Sequence, residues 1–250
     1  MEISIFIYVL VGFAAQIVDA TLGMAYGVTC NSFLLGVGLP PALASASVHA
    51  AETVTTFASG LAHFKLGNVH KRAFVRLLVP GVLGGALGAY VLTNLPVGMI
   101  KPYIAMYLVL MGARIIYRAL RKDVQRDEIE LSSKPLALLG FLGGLLDAIG
   151  GGGWGPIVTS TLVARGSSAR KTIGTVNAAE FFVTLAETIT FSVFLTLTNW
   201  QVVAGLMIGG LLAAPLAAVV TKKLDPKKLM LAVGVFIIVL SIRTIYLSFS

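Results

Sequence analysis

Cysteine is almost missing from this chain: Cys30 stands alone among 250 residues. One thiol excludes an internal disulfide framework and any metal site built from several thiolates. Charge is scarce as well. Asp, Glu, Lys and Arg make up 12% of the residues, against roughly 25% in an ordinary soluble domain. No basic leader and no small-residue cleavage site accompany the first apolar segment, so no cleaved signal is expected. The glycine-rich stretch is not followed by the Lys-Ser or Lys-Thr of a phosphate loop, which argues against nucleotide binding. No segment reads as an ATP-hydrolysing domain.

What is present is hydrophobicity. Apolar residues make up 57% of the chain and the mean hydropathy is +0.91. Apolar runs recur from end to end, many of them near the ~17–20 residues that cross a ~30 Å hydrocarbon core. They fall roughly at 3–18, 22–38, 42–62, 74–95 and 102–120, and again at 135–148, 152–164, 172–196, 201–221 and 229–248. The expected fold is an all-α membrane protein with 8–10 transmembrane segments, some of them short, broken or re-entrant.

The two sets of segments are copies. Asp19-Ala20 through Tyr26-Gly27 returns as Asp147-Ala148 through Trp154-Gly155, an offset of 128 residues (Asp147 against Asp19). The register holds onward: Ser32 matches Ser160, Gly38 matches Gly166, and Ala50-Ala51-Glu52 matches Ala178-Ala179-Glu180. Arg114 recurs one position further along as Arg243. The chain therefore divides into a first repeat over 1–122, a charged cytoplasmic linker over 123–134, and a second repeat over 135–250. Five segments per half is an odd number, so the second repeat is expected to enter the membrane from the opposite face.

The basic residues agree with that inversion. All of the 19 except Lys101 and Arg243 fall on one side if the halves are inverted, the cytoplasmic side by the positive-inside rule. Both termini are then expected outside, on the periplasmic face of a cell inner membrane. The net charge of +8 is thereby a topology signal and not a nucleic-acid surface.

The chemistry concentrates at the two places where a glycine-rich, Asp-bearing break separates short apolar segments. Paired breaks in inverted halves point to a transporter's binding site, because irregular backbone at that depth must be buried in protein or line a cavity. Candidate substrate contacts are Gly23, Tyr26 and Gly27 in the first break and Gly151, Gly152, Gly153, Trp154 and Gly155 in the second. Asn31, Ser32, Thr159 and Ser160 follow at helical spacing. A helix beginning at Trp154-Gly155-Pro156 would turn free N–H groups and the positive end of its dipole towards the break, where an anion could bind. Close helix packing explains the same glycines, and both readings stand at this stage.

Five carboxylates lie inside apolar segments: Asp19, Glu52, Asp147, Glu180 and Glu187. A charge at mid-membrane costs about 2.5–3.5 kcal/mol even on insertion scales, so each needs a partner, a proton or water. Asp19 and Asp147 could cap the helices that follow the breaks, or carry protons. Glu52 and Glu180 sit three residues after His49 and Asn177, on the same helical faces. These seven residues are the candidates for coupling or gating. Arg114 and Arg243 are expected to snorkel towards the interface, with electrostatic attraction of an anion towards the cavity as the alternative.

The run Gly150-Gly151-Gly152-Gly153-Trp154-Gly155-Pro156, followed by Arg170-Lys171-Thr172-Ile173-Gly174-Thr175, resembles the sulfite exporter TauE/SafE family of membrane permeases. The resemblance covers essentially the whole chain. In the first half Leu22-Gly23-Met24-Ala25-Tyr26-Gly27 replaces the glycine cluster. The resemblance implies a secondary transporter, an exporter of sulfite or an organosulfonate, with proton coupling an open expectation. A passive anion channel of the same architecture is the alternative. No cofactor, no metal and no enzymatic activity are expected. The expected partners are the anion and the lipid bilayer, with a homodimer left open and nucleic acid excluded.

Overall fold

The computed structural model describes residues 4–121, 133–165, 167–196, 199–220 and 225–249. Most of the expected linker, with Gly166, Lys222, Lys223 and the C-terminal Ser250, therefore lies outside the described residues. Among those described the fold is all-α, as the hydropathy pattern implies, with ten α-helices and one π-helical turn.

Local sequence sets the boundaries. Helix α1 (Ile5–Leu22) starts where the Ser4 hydroxyl accepts the Phe6 N–H, and it ends at Gly23, whose left-handed φ of 66° suits a residue without a Cβ. Helix α2 (Tyr26–Gly36) follows at once. Helix α3 (Pro41–Lys65) opens on a first-turn proline, where the missing donor costs little. The His70 ring caps α4 (Lys71–Asn94), and Pro96 precedes α5 (Val97–Leu120). The second half comprises α6 (Ser133–Gly150), the π-helical turn Gly155–Thr159 continuing into α7 (Ser160–Ala164), then α8 (Ala169–Phe194), α9 (Trp200–Val220) and α10 (Pro226–Phe249).

Among the described residues, four helices are long and apolar enough to cross a membrane: α1, α4, α5 and α10. Helices α3 and α8, at 25 and 26 residues, are the long helices that carry the polar groups, and they pack against each other. The 11 residues of α2 rise only ~16 Å, about half the ~30 Å hydrocarbon thickness, and the stretch Gly155–Ala164 is similarly short.

The remaining packing repeats the internal duplication. Helix α1 lies on α9 as α4 lies on α6, while α3 pairs with α8 and α5 with α10. Exchanging the two halves leaves this set of pairs unchanged, whether they run parallel or inverted. Glycines allow the close approach: a Cβ on Gly84 would run into the Phe141 carbonyl of α6, and one on Gly209 into the Val9 carbonyl of α1.

The distribution of polarity is that of a protein solvated by lipid. Large apolar side chains such as Leu83, Leu110, Val193 and Phe249 are more than half exposed, while His49, Glu52, Asp147, Asn177, Glu180 and Glu187 are buried. In water such an exposed apolar belt would drive association; in a bilayer it is the solvated face, and ionisable groups belong in the bundle interior.

Candidate functional site

The two breaks meet at the middle of the fold. In the first, α1 ends at Gly23, Ala25 takes a left-handed φ of 90°, and α2 starts at Tyr26. In the second, α6 ends at Gly150, and Gly151 and Gly152 adopt φ values of 66° and 135° that L side chains rarely take. Gly27 and Gly152 are in backbone contact: a Cβ on Gly27 would fall 2.7 Å from the Gly152 Cα. One on Gly152 would collide with the Gly27 carbonyl carbon and the Val28 nitrogen. Glycine is thus required by geometry where both backbones touch.

Carboxyls occupy the start of each short helix, where orphan N–H groups and the positive dipole end favour them. Asp147 Oδ1 accepts the Trp154 N–H at 2.8 Å, and the same carboxyl is bonded by the Gly153 N–H. At the equivalent place Asp19 receives the Tyr26 N–H and Glu52 the Gly27 N–H.

The other side of the junction is the C-terminal end of α6, whose last carbonyls have no partner within their own helix. Side chains from elsewhere take them. Asn31 Nδ2 donates to the Gly150 carbonyl at 2.6 Å, Ser45 Oγ to Ala148 at 2.6 Å, and His49 Nε2 lies 3.3 Å from the Asp147 carbonyl. Tyr107 OH donates to the Gly152 carbonyl at 3.2 Å, and its ring lies where a Cβ on Gly150 would point.

Around this junction the ionisable groups of α3 and α8 gather. His49 Nδ1 is 3.1 Å from Glu187 Oε2 and 3.5 Å from Glu52 Oε2. Glu180, also buried, lies within electrostatic reach of Glu52, Asp19 and Asp147. One donor atom each of His49, Asp147 and Glu187 lies within 4.8 Å of the other two, a grouping able to hold a metal ion. These residues are scattered through the sequence, so their convergence has no sequence signature.

The candidate residues separate into two groups. Gly27, Gly151, Gly152, Asn31, His49, Glu52, Asp147 and Glu187 come together at the junction. Ser32 turns back to the Val28 carbonyl of its own helix, and Ser160 faces Met24 and Arg118. Gly23 packs on Ile173 and Gly155 on Met24. Tyr26 OH and Trp154 Nε1 bond the carbonyls of Leu206 and Val176, so both rings act as anchors of their short helices. Asn177 donates to Ser59 at 2.9 Å, and Thr159 is fully buried.

Sequence reasoning missed Tyr107 and Ser45, and it did not anticipate the partners of Arg114. Arg114 donates to the Pro156 carbonyl and to Thr161 Oγ1, each at 2.8 Å, and Arg243 donates to the Gly36 carbonyl at the end of α2. Each arginine bonds the short helix of the opposite half instead of only snorkelling outward. The seven-residue spacing of Tyr107 and Arg114, two turns apart on one face of an apolar helix, was the available signal.

The family described as sulfite exporter TauE/SafE matches this chain over residues 8–244. A similar protein of Bacillus subtilis (strain 168), named as a probable membrane transporter protein, YtnM, is 43% identical over 248 residues. The match covers 97% of this chain and 83% of that protein. No solved structure matches.

Proposed function

This chain belongs to the sulfite exporter TauE/SafE family, and on that premise we propose that it is a secondary transporter of a small sulfur-containing anion, sulfite or an organosulfonate, moved together with protons. It is a multi-pass membrane transporter. The substrate class, the coupling and the arrangement in the membrane are the parts proposed.

The contact of Gly27 with Gly152 carries the reading. Two short helices present their N-terminal ends to one point, the polarity that attracts an anion, and at that point the backbones touch. An anion can pass only when they part. A carrier that alternates between two open faces meets that requirement, whereas a passive channel needs a path that stays open where these glycines meet.

The surrounding charge explains the protons. Asp19, Glu52, Asp147, Glu180 and Glu187 surround the junction, and a second anion is repelled unless that charge is offset. Glu180 lies within electrostatic reach of Glu52, Asp19 and Asp147 and has no Lys or Arg within a helical turn of sequence. A proton taken up there with the anion and released on the other face would couple the two movements. Such a carrier runs in whichever direction the combined gradients favour, and the family description names export.

In the proposed topology the repeats are inverted, the loops rich in Lys and Arg are cytoplasmic and both termini are periplasmic. Purified protein in detergent, heated with sulfite or a short alkanesulfonate, should unfold at a higher temperature than with chloride at equal ionic strength. Stabilisation of about 2.7 kcal/mol is expected at a hundredfold excess over Kd. Equal shifts with all anions would remove the assignment of the substrate class.

A further inference from the structure

The His49 side chain is held in a way that a proton-only account leaves unexplained. Its Nε2 faces the main-chain oxygen of Asp147 at 3.3 Å. A carbonyl only accepts, so Nε2 carries a hydrogen. The other ring nitrogen, Nδ1, is thereby aimed at Glu187 Oε2, 3.1 Å away, and at Glu52 Oε2, 3.5 Å away. A lone pair there would face carboxylate oxygens.

The oxygens around it lack partners. Glu187 Oε1 and Oε2, Asp147 Oδ2 and Glu52 Oε2 are buried and accept no hydrogen bond, and His49 Nδ1 is in the same position. His49 and Glu187 are completely inaccessible, and Asp147 is 1% exposed. Buried acceptors left open in this number call for an ion or protons to fill the space between them.

The internal duplication shows that the fold does not need ionisable groups here. By the offset of 128 residues (Asp147 against Asp19), His49 corresponds to Asn177 and Glu187 to Ser59. Those counterparts touch as well: Asn177 Nδ2 donates to Ser59 Oγ at 2.9 Å. The same contact between α3 and α8 thus occurs twice, once as a neutral hydrogen bond and once as a histidine with a carboxylate. Holding the helices together explains the first and not the ionisable chemistry of the second.

We infer that His49, Asp147 and Glu187 form a binding site for a first-row divalent cation, with Glu52 at its edge. An imidazole with two carboxylates suits Zn²⁺, Mn²⁺ or a neighbouring metal. Bonds of ~2.0–2.2 Å place donors at most about 4.4 Å apart, so a spread of 4.8 Å closes by small side-chain rotations. The Nε2–H donated to a main-chain carbonyl is the outer bond that orients a metal-bound histidine. Asp147 binds the Trp154 N–H through Oδ1 and leaves Oδ2 for the ion. Three protein ligands leave a coordination position open at the junction of the breaks. This deepens the transport reading, since a bound dication would offset the carboxylates where the anion passes, but the site itself stands or falls on binding alone.

The test is metal binding by the purified full-length chain after stripping with chelator. Equilibrium dialysis against Zn²⁺ or Mn²⁺ with elemental analysis should give one ion per chain, and Co²⁺ should give a ligand-field absorption band. The double variant His49→Asn, Glu187→Ser copies the chain's own Asn177–Ser59 pair; it should keep its elution profile and lose affinity at least a hundredfold. Glu187→Gln alone should lose at least tenfold, and it decides the matter if the double variant does not fold. No saturable binding by the unaltered protein would overturn the inference. So would binding that persists in these variants, which would place the ion elsewhere in the chain. Cation binding without anion flux would leave this site intact and sink the transport reading; flux without cation binding would do the reverse.

Discussion

Gly27 and Gly152, the first from one half of the chain and the second from the other, touch through their backbones at the point where both short helices begin. A carbonyl carbon and an amide nitrogen occupy the place of any side chain on Gly152, and its φ of 135° lies where L residues are strained. The contact is therefore both a structural joint and the closed point of the proposed pathway.

Replacing Gly152 with alanine should consequently destabilise the protein as well as slow it. The backbone conformation alone costs about 1–3 kcal/mol, before the collision with Gly27 is counted. Gly98 in α5 is the control, since a Cβ there meets nothing within 4 Å, and alanine should gain roughly 0.4–1 kcal/mol by restricting the unfolded chain. Thermal unfolding of the two detergent-purified variants should move in opposite directions. A Gly152→Ala protein as stable as the unaltered one would mean that the breaks do not touch.

Proton coupling through Glu180 makes a distinct prediction. Glutamine keeps the shape and hydrogen bonding of a protonated glutamate but cannot release a proton. Anion uptake by proteoliposomes containing the unaltered protein should fall as pH rises, because fewer chains carry the coupling proton. In Glu180→Gln that dependence should flatten while substrate still shifts the unfolding temperature. An unchanged pH profile would leave Glu180 with a structural role and send the proton elsewhere.

Much of this was legible in the sequence because membrane solvation writes coarse rules. All ten apolar segments appear as helical stretches, and the offset between Asp19 and Asp147 located both breaks through their glycines. Capping of a short helix by Asp147 was readable, since an aspartate a few residues ahead of a helix start can accept that helix's orphan N–H groups. What could not be read was convergence across the halves. His49 and Glu187 lie on different helices, and nothing local to either announces the other. Asn177 and Ser59, their counterparts, hold the same contact without charge, so only comparison of the two halves in three dimensions marks the ionisable pair as distinct. Tyr107 was overlooked because an aromatic in an apolar helix usually faces lipid or the core, and its hydroxyl bond to Gly152 depends on how α5 meets the break.

The inversion of the repeats is open to thiol labelling. Cys30, the chain's own cysteine, is buried, so the background should be low. Asn199→Cys, between α8 and α9, should react with an impermeant thiol reagent added to intact cells. Ser168→Cys, in the basic loop before α8, should react only after the membrane is opened. Labelling of both from outside, or the reverse pattern, is incompatible with the inverted arrangement.

Flux against a gradient tests the central claim most directly. Proteoliposomes loaded with buffer and given an inward proton gradient should accumulate labelled sulfite, or a short organosulfonate, above the external concentration. Accumulation should collapse when a protonophore dissipates the gradient. Equilibration to equal concentrations, unaffected by the protonophore, would instead describe a passive channel and contradict coupled transport.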